Sequence, residues 1–175
     1  MTTTPARADV RSDDDPTGTL DLADFAFTRA AWLPAPVERV YALVSDVSRI
    51  DLWSPTASGV RYDDGAGPEP GAWFGGRNRR GEREWASRSQ VLVASPPGEF
   101  SFVVGGVEEG AVRWRWTFRA DGGGTIARQE WTLLRPHPAF GPTRRDVTAL
   151  RATMAASAET TLLGLARWLH EHPEG

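Results

Sequence analysis

Alternation of apolar and polar residues is clearest between residues 111 and 134. Trp114, Trp116 and Phe118 alternate with arginines, and a run of three glycines leads to a second alternating stretch that ends near Leu133. A period of two marks a strand with one buried face and one solvated face. The segment therefore predicts two antiparallel strands whose apolar face carries large aromatic side chains.

The chain before this segment repeats the same pattern in shorter runs. Sequences rich in Gly, Pro and Asp separate the runs and indicate turns. The pattern predicts one strand near the start and then six consecutive strands that form an antiparallel meander. These strands are residues 25–33, followed by 59–62, 73–79, 83–94, 100–104, 112–120 and 125–134.

Two short helices are predicted between the first strand and the meander. Apolar residues at i, i+3, i+4 and i+7 from Val37 predict an amphipathic helix to about residue 45, with Pro36 in its first turn. Residues 48–53 predict a second short helix, with Ser48 as its cap. Both helices are therefore expected before the six-strand region.

A long helix is predicted at the end of the chain. Thr143, with Asp146 three residues later, is typical of a capping box, and the apolar stripe continues to about residue 172. The middle of this helix, residues 152–158, consists mostly of alanine. One interpretation is that the small side chains leave a cavity between helix and sheet; the other is that they permit close packing over a solid core.

Length and composition predict one domain preceded by a disordered lead-in. Residues 1–22 are poor in periodic apolar positions, whereas residues 23–173 contain all the predicted elements. No apolar run approaches the ~20 residues of a membrane span, and the first residues lack the apolar region of a signal peptide. We therefore expect a cytoplasmic protein without a membrane span.

Several chemistries are excluded by composition. All 20 basic residues are arginine, and there is no cysteine, so neither a lysine Schiff base nor a thiolate nucleophile, disulfide or thiolate metal site can form. The net charge of −3 argues against a nucleic-acid partner.

No cofactor or metal is expected. His170 and His172 point about 200° apart on a helix, and His137 lies in a proline-flanked loop, which favours solvated or locally bonded histidines. The glycines lie between strands and not in the strand-to-helix context of a nucleotide-binding loop. The arginine-rich residues 77–83 include Glu82, so a solvated turn is the favoured interpretation.

The order of the predicted elements resembles the helix-grip fold of the START-like superfamily, also called SRPBCC, and in particular its polyketide cyclase/dehydrase-type members. The similarity extends from about residue 24 to 171. It is carried by residues 35–41 (APVERVY), 45–47 (SDV), 53–55 (WSP), 71–78 (GAWFGGRN), 85, 91–97 (VLVASPP), 100–102 (FSF), 114–118 (WRWTF), 124–125 and 130–131. The resemblance implies an α+β fold with a curved antiparallel sheet of about seven strands wrapped around the long C-terminal helix.

The same resemblance implies a cavity between sheet and helix that binds a polyketide, a lipid or an aromatic metabolite. A polyketide cyclase/aromatase-like reaction is one implied activity. A non-catalytic lipid or metabolite carrier or sensor is the alternative, and a partner-binding domain with a filled core is the third. Strand parity and the resemblance together predict that the cavity is lined by Trp53, Phe74, Trp85, Ser89, Phe102, Trp114, Trp116, Trp131, Met154 and Ala158.

Glu130 is the predicted catalytic residue. Cyclisation needs one group that polarises a carbonyl and one that moves a proton, and Glu130 is a mid-strand carboxylate beside Trp131. Alternation places these two residues on opposite faces, so the other interpretation is an ion pair of Glu130 with Arg128 or Arg88. We expect most mid-strand arginines, Arg77 among them, on the solvated face, while Asn78, Ser87 and Ser89 offer neutral hydrogen bonds.

Overall fold

The computed structural model describes residues 12–173, which contain one antiparallel sheet and two α-helices. The strands are β1 (Ala26–Leu33), β2 (Ala57–Tyr62), β3 (Trp73–Arg80), β4 (Arg83–Ser95), β5 (Glu99–Val104), β6 (Val112–Asp121) and β7 (Gly124–Leu133). Their order in the sheet is β1-β7-β6-β5-β4-β3-β2, so the last strand of the meander pairs with the first strand of the chain. The predicted strands are confirmed, with ends within two residues of the observed ones.

The helices lie where the sequence predicts them. They are α1 (Val37–Ser45) and α2 (Arg144–Glu171), with 3-10 segments at Thr17–Thr19, Leu22–Asp24, Val47–Leu52 and Pro138–Phe140. The capping box of Thr143 and Asp146 at the start of α2 is confirmed. None of the helices in the described part of the chain has the length and apolar character that a membrane crossing requires.

The cap of the second short helix differs from the prediction. Asp46, and not Ser48, is the N-cap of the 3-10 helix Val47–Leu52. Oδ1 of Asp46 accepts hydrogen bonds from the backbone N–H of Ser48 at 3.2 Å and from its hydroxyl at 2.6 Å. Ser48 is therefore inside the first turn, because the preceding aspartate already satisfies the free N–H group.

Alternation along the strands separates a concave face, covered by α2, from a convex face. Trp116 and Phe118 of β6 share one apolar cluster with Leu162 and Leu165 of α2. The even-numbered residues of β6 therefore face the concave side. Close approach of α2 depends on Gly164, since a Cβ atom there would collide with the backbone carbonyl oxygen of Trp53. The arginines of β6 point to the convex side.

Two apolar clusters lie between sheet and α2. The first cluster contains the C-terminal half of α2, α1 and one end of the sheet, with Leu33, Val40, Trp53, Phe74, Phe100, Trp116, Phe118, Leu162, Leu165 and Leu169 among its members. The second cluster contains the N-terminal half of α2 and the other end of the sheet, with Phe25, Phe27, Val112, Trp131, Leu133, Val147, Ala155 and Ala158. The middle of α2 therefore lies where the two clusters adjoin.

Residues 12–22 are packed against the start of α2, which corrects the predicted lead-in over this range. The N–H of Thr17 donates to Pro142 at 2.8 Å, its hydroxyl donates to Gly141 at 2.9 Å, and its side chain is buried. The N–H of Arg144 donates to the carbonyl oxygen of Asp15 at 2.8 Å. Backbone and hydroxyl groups make these contacts, so a scan for apolar periodicity does not detect them. Residues 1–11 of the predicted lead-in lie outside the described residues.

Candidate functional site

Most of the side chains predicted to line a cavity are buried against one another. Trp116 is 2% exposed and Trp131 is 1% exposed. The ring of Trp53 meets Trp116 edge-on at 6.1 Å between centroids, and Phe27 stacks on Trp131 at 5.6 Å. The buried members of the predicted set are Trp53, Phe74, Ser89, Trp116, Trp131 and Ala158. In the structure, this part of the interior is filled by side chains.

Four large apolar side chains of the predicted set remain half-buried: Trp85, Phe102, Trp114 and Met154. We call the last three the central patch. Phe102 on β5 and Trp114 on β6 are register partners in the middle of the sheet. Phe102 packs on the first cluster, whereas Trp114 and Met154 pack on the second. Each of these three side chains therefore keeps part of its apolar surface accessible to solvent.

Trp85 lies apart from the central patch, near the turn between β3 and β4. It is half-buried, and the guanidinium groups of Arg80 and Arg83 lie 5.9 and 5.5 Å from its ring centroid. Asn78, its register partner, donates to the hydroxyl of Ser87 at 2.9 Å. These two groups, which were expected to offer neutral hydrogen bonds, therefore bond to each other within the sheet.

A row of polar side chains crosses the concave face where the two clusters adjoin. Arg29 of β1 and Gln129 of β7 are register partners, and the Nε of Arg29 donates to Glu159 of α2 at 2.6 Å. We call Arg29, Gln129 and Glu159 the polar seam. Gln129 is 7% exposed, and its Oε1 is buried without a hydrogen-bond partner in the described part of the chain.

The polar seam was not predicted from the sequence, although a signal was present. Arg29 has the strand parity of Phe27 and Leu33, and Gln129 has the parity of Trp131. A polar residue whose neighbours two positions away along the strand are apolar is expected to lie on the buried face of the sheet. The partner Glu159 could not be paired with Arg29 from the sequence, because 130 positions separate them.

Glu130, the predicted catalytic residue, lies on the convex face. Its Oε1 is 3.2 Å from Nη2 of Arg113, and its Oε2 is 3.9 Å from Nη1 of Arg115. Both arginines are on β6, and Arg115 is the register partner of Glu130. The sheet therefore separates this carboxylate from the central patch.

The ion-pair partners of Glu130 differ from those considered in the sequence analysis. Arg88 pairs with Asp63 at 2.5 Å, and Arg128 is exposed on the convex face opposite Thr117. Cross-strand neighbours on one face lie closer than residues two apart on one strand, so the β6 arginines take the place of Arg128. The expectation that Arg77, Arg88 and Arg128 face solvent is confirmed.

A second carboxylate completes this convex network. Arg115 makes a two-bond pair with Glu99, with Nε donating at 2.9 Å and Nη2 at 2.8 Å. The hydrogen bonds from Arg115 hold the pKa of Glu99 below its ordinary value, and burial opposes this only in part. The network of arginines and glutamates is thus a stabilising surface of paired charges.

Two tyrosines on the interior side keep their protons at neutral pH. Burial raises the pKa of Tyr41 and, more strongly, that of Tyr62. The hydroxyl of Tyr62 donates to the backbone carbonyl of Ser45 at 2.8 Å. These groups therefore act as neutral hydroxyls.

The histidines do not converge. Nδ1 of His137 accepts from the N–H of Ala139 at 3.2 Å, and the ring of His172 stacks on Trp168 at 4.5 Å. The expectation of locally bonded histidines is thereby confirmed for these two. Within residues 12–173, no three His, Asp or Glu side chains are grouped as a metal ion would require.

Two surface depressions lie away from the interior. One, of about 350 Å³, is bordered by Pro36, Glu38 and the β6–β7 turn. The other, of about 500 Å³, is bordered by Arg61, Asp63 and Arg88. Neither depression includes residues of the central patch or the polar seam. The candidate site is therefore defined by the central patch and the polar seam, and not by the two depressions.

Residues 24–169 match the family described as polyketide cyclase / dehydrase and lipid transport. The chain belongs to this family. A similar member is the Polyketide_cyc-like protein Cgl2372 from Corynebacterium glutamicum, which is 31% identical, with 86% of this chain and 94% of that chain covered and a TM-score of 0.61. The predicted family and helix-grip fold are confirmed. Among the curated proteins, none matches the chain.

More distant solved structures share the fold. Protein Ms6760 from Mycobacterium smegmatis is 19% identical, with a TM-score of 0.66 over 86% of this chain and 94% of that chain. The di-domain ARO/CYC StfQ from the steffimycin biosynthetic pathway is 13% identical, with a TM-score of 0.69 over 86% of this chain and 52% of that chain. At these identities, the likeness establishes the architecture alone.

Proposed function

We propose that this protein binds a hydrophobic small molecule, a polyketide, lipid or aromatic metabolite, between the concave face of the sheet and α2. The observation that carries the proposal is the central patch. Phe102 and Trp114 lie on the concave face of the middle strands, and both of them, like Met154 of α2, are only half-buried. Apolar surface left accessible at such a place is typical of a ligand site.

Energetics favour this location over the convex face. Each Å² of apolar surface removed from water contributes about 25 cal/mol, and the central patch offers two aromatic rings and a thioether to a flat ligand. The convex face offers paired charges of Arg113, Arg115 and Glu130 instead. A hydrophobic ligand therefore gains most between sheet and α2.

A polyketide cyclase/aromatase-like reaction is the more specific form of this proposal. Membership in the family supports it, but its proton-transfer group would have to face the ligand. Glu130 faces the other side of the sheet, so the polar seam holds the candidate groups on the concave side. Binding without chemistry, as in a carrier or sensor, needs the central patch alone.

Two tryptophan variants test the binding proposal. Trp114→Ala removes a ring from the central patch, whereas Trp32→Ala removes an exposed ring from the convex side of β1. Affinity for a flat hydrophobic probe such as 2-naphthol is measured by calorimetry, with thermal unfolding as the control for folding. Compounds that co-purify with the wild type are identified by mass spectrometry.

We expect Trp114→Ala to weaken binding by at least about tenfold, because burial of a large apolar side chain contributes about 1.5 to 3 kcal/mol. Trp32→Ala should leave affinity within twofold. Equal affinities for all three proteins would contradict the proposal. If Trp114→Ala does not fold, Met154→Ala replaces it, with the same expectation of weakened binding.

A further inference from the structure

Gln129 is a buried polar side chain on the concave face, and its oxygen lacks a hydrogen-bond partner among the described residues. It is 7% exposed, and its Oε1 has no partner within the described residues. Burial of an acceptor without a donor disfavours folding, and most buried polar atoms in native proteins are paired. Such an atom, on the face that carries the proposed ligand site, is an acceptor that a donor group of a ligand can satisfy.

The surroundings of Gln129 fit a ligand that is apolar except for one polar group. Its register partner on β6 is Trp116, and its neighbour two residues along β7 is Trp131, both buried aromatic rings. A second unpartnered buried polar atom, Nε1 of Trp53, belongs to a ring that also contacts Trp116. Oε1 of Gln129 accepts and Nε1 of Trp53 donates, and a hydroxyl group can serve either atom.

Arg29 lies beside Gln129 on the neighbouring strand. It is the register partner of Gln129 on β1, and its side chain is 37% exposed. Its Nε donates to Glu159 and its Nη1 to the carbonyl oxygen of Thr28, which leaves Nη2 without a hydrogen bond in the described structure. A rotamer change of this long, partly exposed side chain would alter the surroundings of Gln129 without any backbone movement.

We propose that Gln129 is a specificity-determining residue that accepts a hydrogen bond from a hydroxyl group of the hydrophobic ligand. The ligand class is thus a hydroxylated apolar molecule, such as a phenol. This inference rests on the proposed binding site between sheet and α2, and it adds which polar group of the ligand that site selects.

Three matched probes and one variant test the inference. The probes are 2-naphthol, 2-methoxynaphthalene, which keeps the oxygen but cannot donate, and naphthalene. The variant is Gln129→Met, which retains an unbranched side chain of similar length and removes both polar atoms. Dissociation constants are measured by calorimetry for wild type and variant, so that the difference in hydrophobicity between probes cancels in the comparison.

In the wild type, 2-naphthol should bind more tightly than 2-methoxynaphthalene. The ratio of the two affinities should fall about fivefold in Gln129→Met, as expected for one lost hydrogen bond, while naphthalene binding stays within twofold. The variant should melt at the same temperature as the wild type or higher, since an unpaired buried oxygen has been removed.

Two results overturn the inference in distinguishable ways. If all probes bind but the ratio is the same in wild type and variant, Gln129 does not select a hydroxyl group, and the proposed function stands. If no probe binds the wild type, the proposed function fails and the inference fails with it. Should Gln129→Met not fold, Gln129→Asn, which withdraws the amide oxygen by one methylene, must show the same fall in the ratio.

Discussion

Glu130 and Trp131 are consecutive residues of β7 that face opposite sides of the sheet. Glu130 lies 3.2 Å from Arg113 on the convex side, whereas Trp131 stacks on Phe27 at 5.6 Å on the concave side. A ligand between sheet and α2 can contact the side of the sheet that bears the tryptophan and not the one that bears the carboxylate. This relationship separates a face for binding from a face of paired charges.

Glu130→Gln should therefore change stability and leave binding intact. Loss of the partly exposed pair with Arg113 is expected to reduce the free energy of unfolding by about 0.5 to 1 kcal/mol. Affinity for 2-naphthol should stay within twofold of the wild type. Urea unfolding and calorimetry check the two expectations, with Glu84→Gln, at a fully solvated pair with Arg79, as the control. Unchanged stability with lost ligand turnover would support a catalytic Glu130 instead.

The pair of Glu99 and Arg115 predicts a pH dependence of stability. Because Arg115 lowers the pKa of Glu99 in the folded state, the stabilisation is fully present above the pKa of an unfolded glutamate, about 4.3, and disappears as pH falls through the lower folded pKa. Glu99→Gln should thus be less stable than wild type at pH 7 by about 0.5 to 1 kcal/mol.

At pH 2.5 the difference between Glu99→Gln and wild type should shrink or vanish. Denaturant unfolding at both pH values measures it. A gap between the two proteins that is the same at pH 7 and pH 2.5 would show that the charge of Glu99 is not the origin of the effect.

Residues 12–20 should contribute to stability through their contacts with the start of α2. A chain that begins at residue 12 and one that begins at Asp21 differ by the hydrogen bonds of Thr17 and the contacts of Asp15 with Arg144. At about 1 kcal/mol for each buried hydrogen bond, we expect the shorter chain to melt at least ~4 °C lower. Equal melting temperatures would show that these contacts contribute nothing to folding.

Gly164→Ala should destabilise the protein, although alanine is the better helix former. Helix propensity alone predicts a gain of about 1 kcal/mol, but the added Cβ would meet the carbonyl oxygen of Trp53. Overpacking of this kind costs about 1 to 3 kcal/mol, so a net loss is expected. Gly67→Ala, where nothing lies within 4 Å of the added atom, is the control and should change stability by less than ~0.5 kcal/mol. A stabilised Gly164→Ala would mean that α2 shifts readily.

The fold was predictable because local patterns specify it. Alternation on β6 and β7, turns rich in glycine, and the capping box of Thr143 and Asp146 depend on residues close in sequence. The packing of residues 12–22 was not predicted, because it depends on hydrogen bonds from backbone and hydroxyl groups to a loop more than 120 positions away.

The candidate site was predictable only in part. Strand parity places Trp114 and Phe102 on the concave face, but parity does not tell which rings bury each other and which stay accessible. Trp116 is covered through Trp53, which belongs to a different part of the chain. The pairing of Arg29 with Glu159 likewise depends on where α2 crosses β1, a feature of tertiary packing.

The most direct test of binding between sheet and α2 uses the methyl group of Met154. The chain has two methionines, so selective 13C labelling of methionine methyl groups gives two signals, which Met154→Leu assigns. As 2-naphthol is added, the Met154 signal should shift to saturation with the calorimetric dissociation constant and show nuclear Overhauser contacts to the naphthol ring. Calorimetric saturation with an unchanged Met154 signal, or no binding at all, would contradict the account.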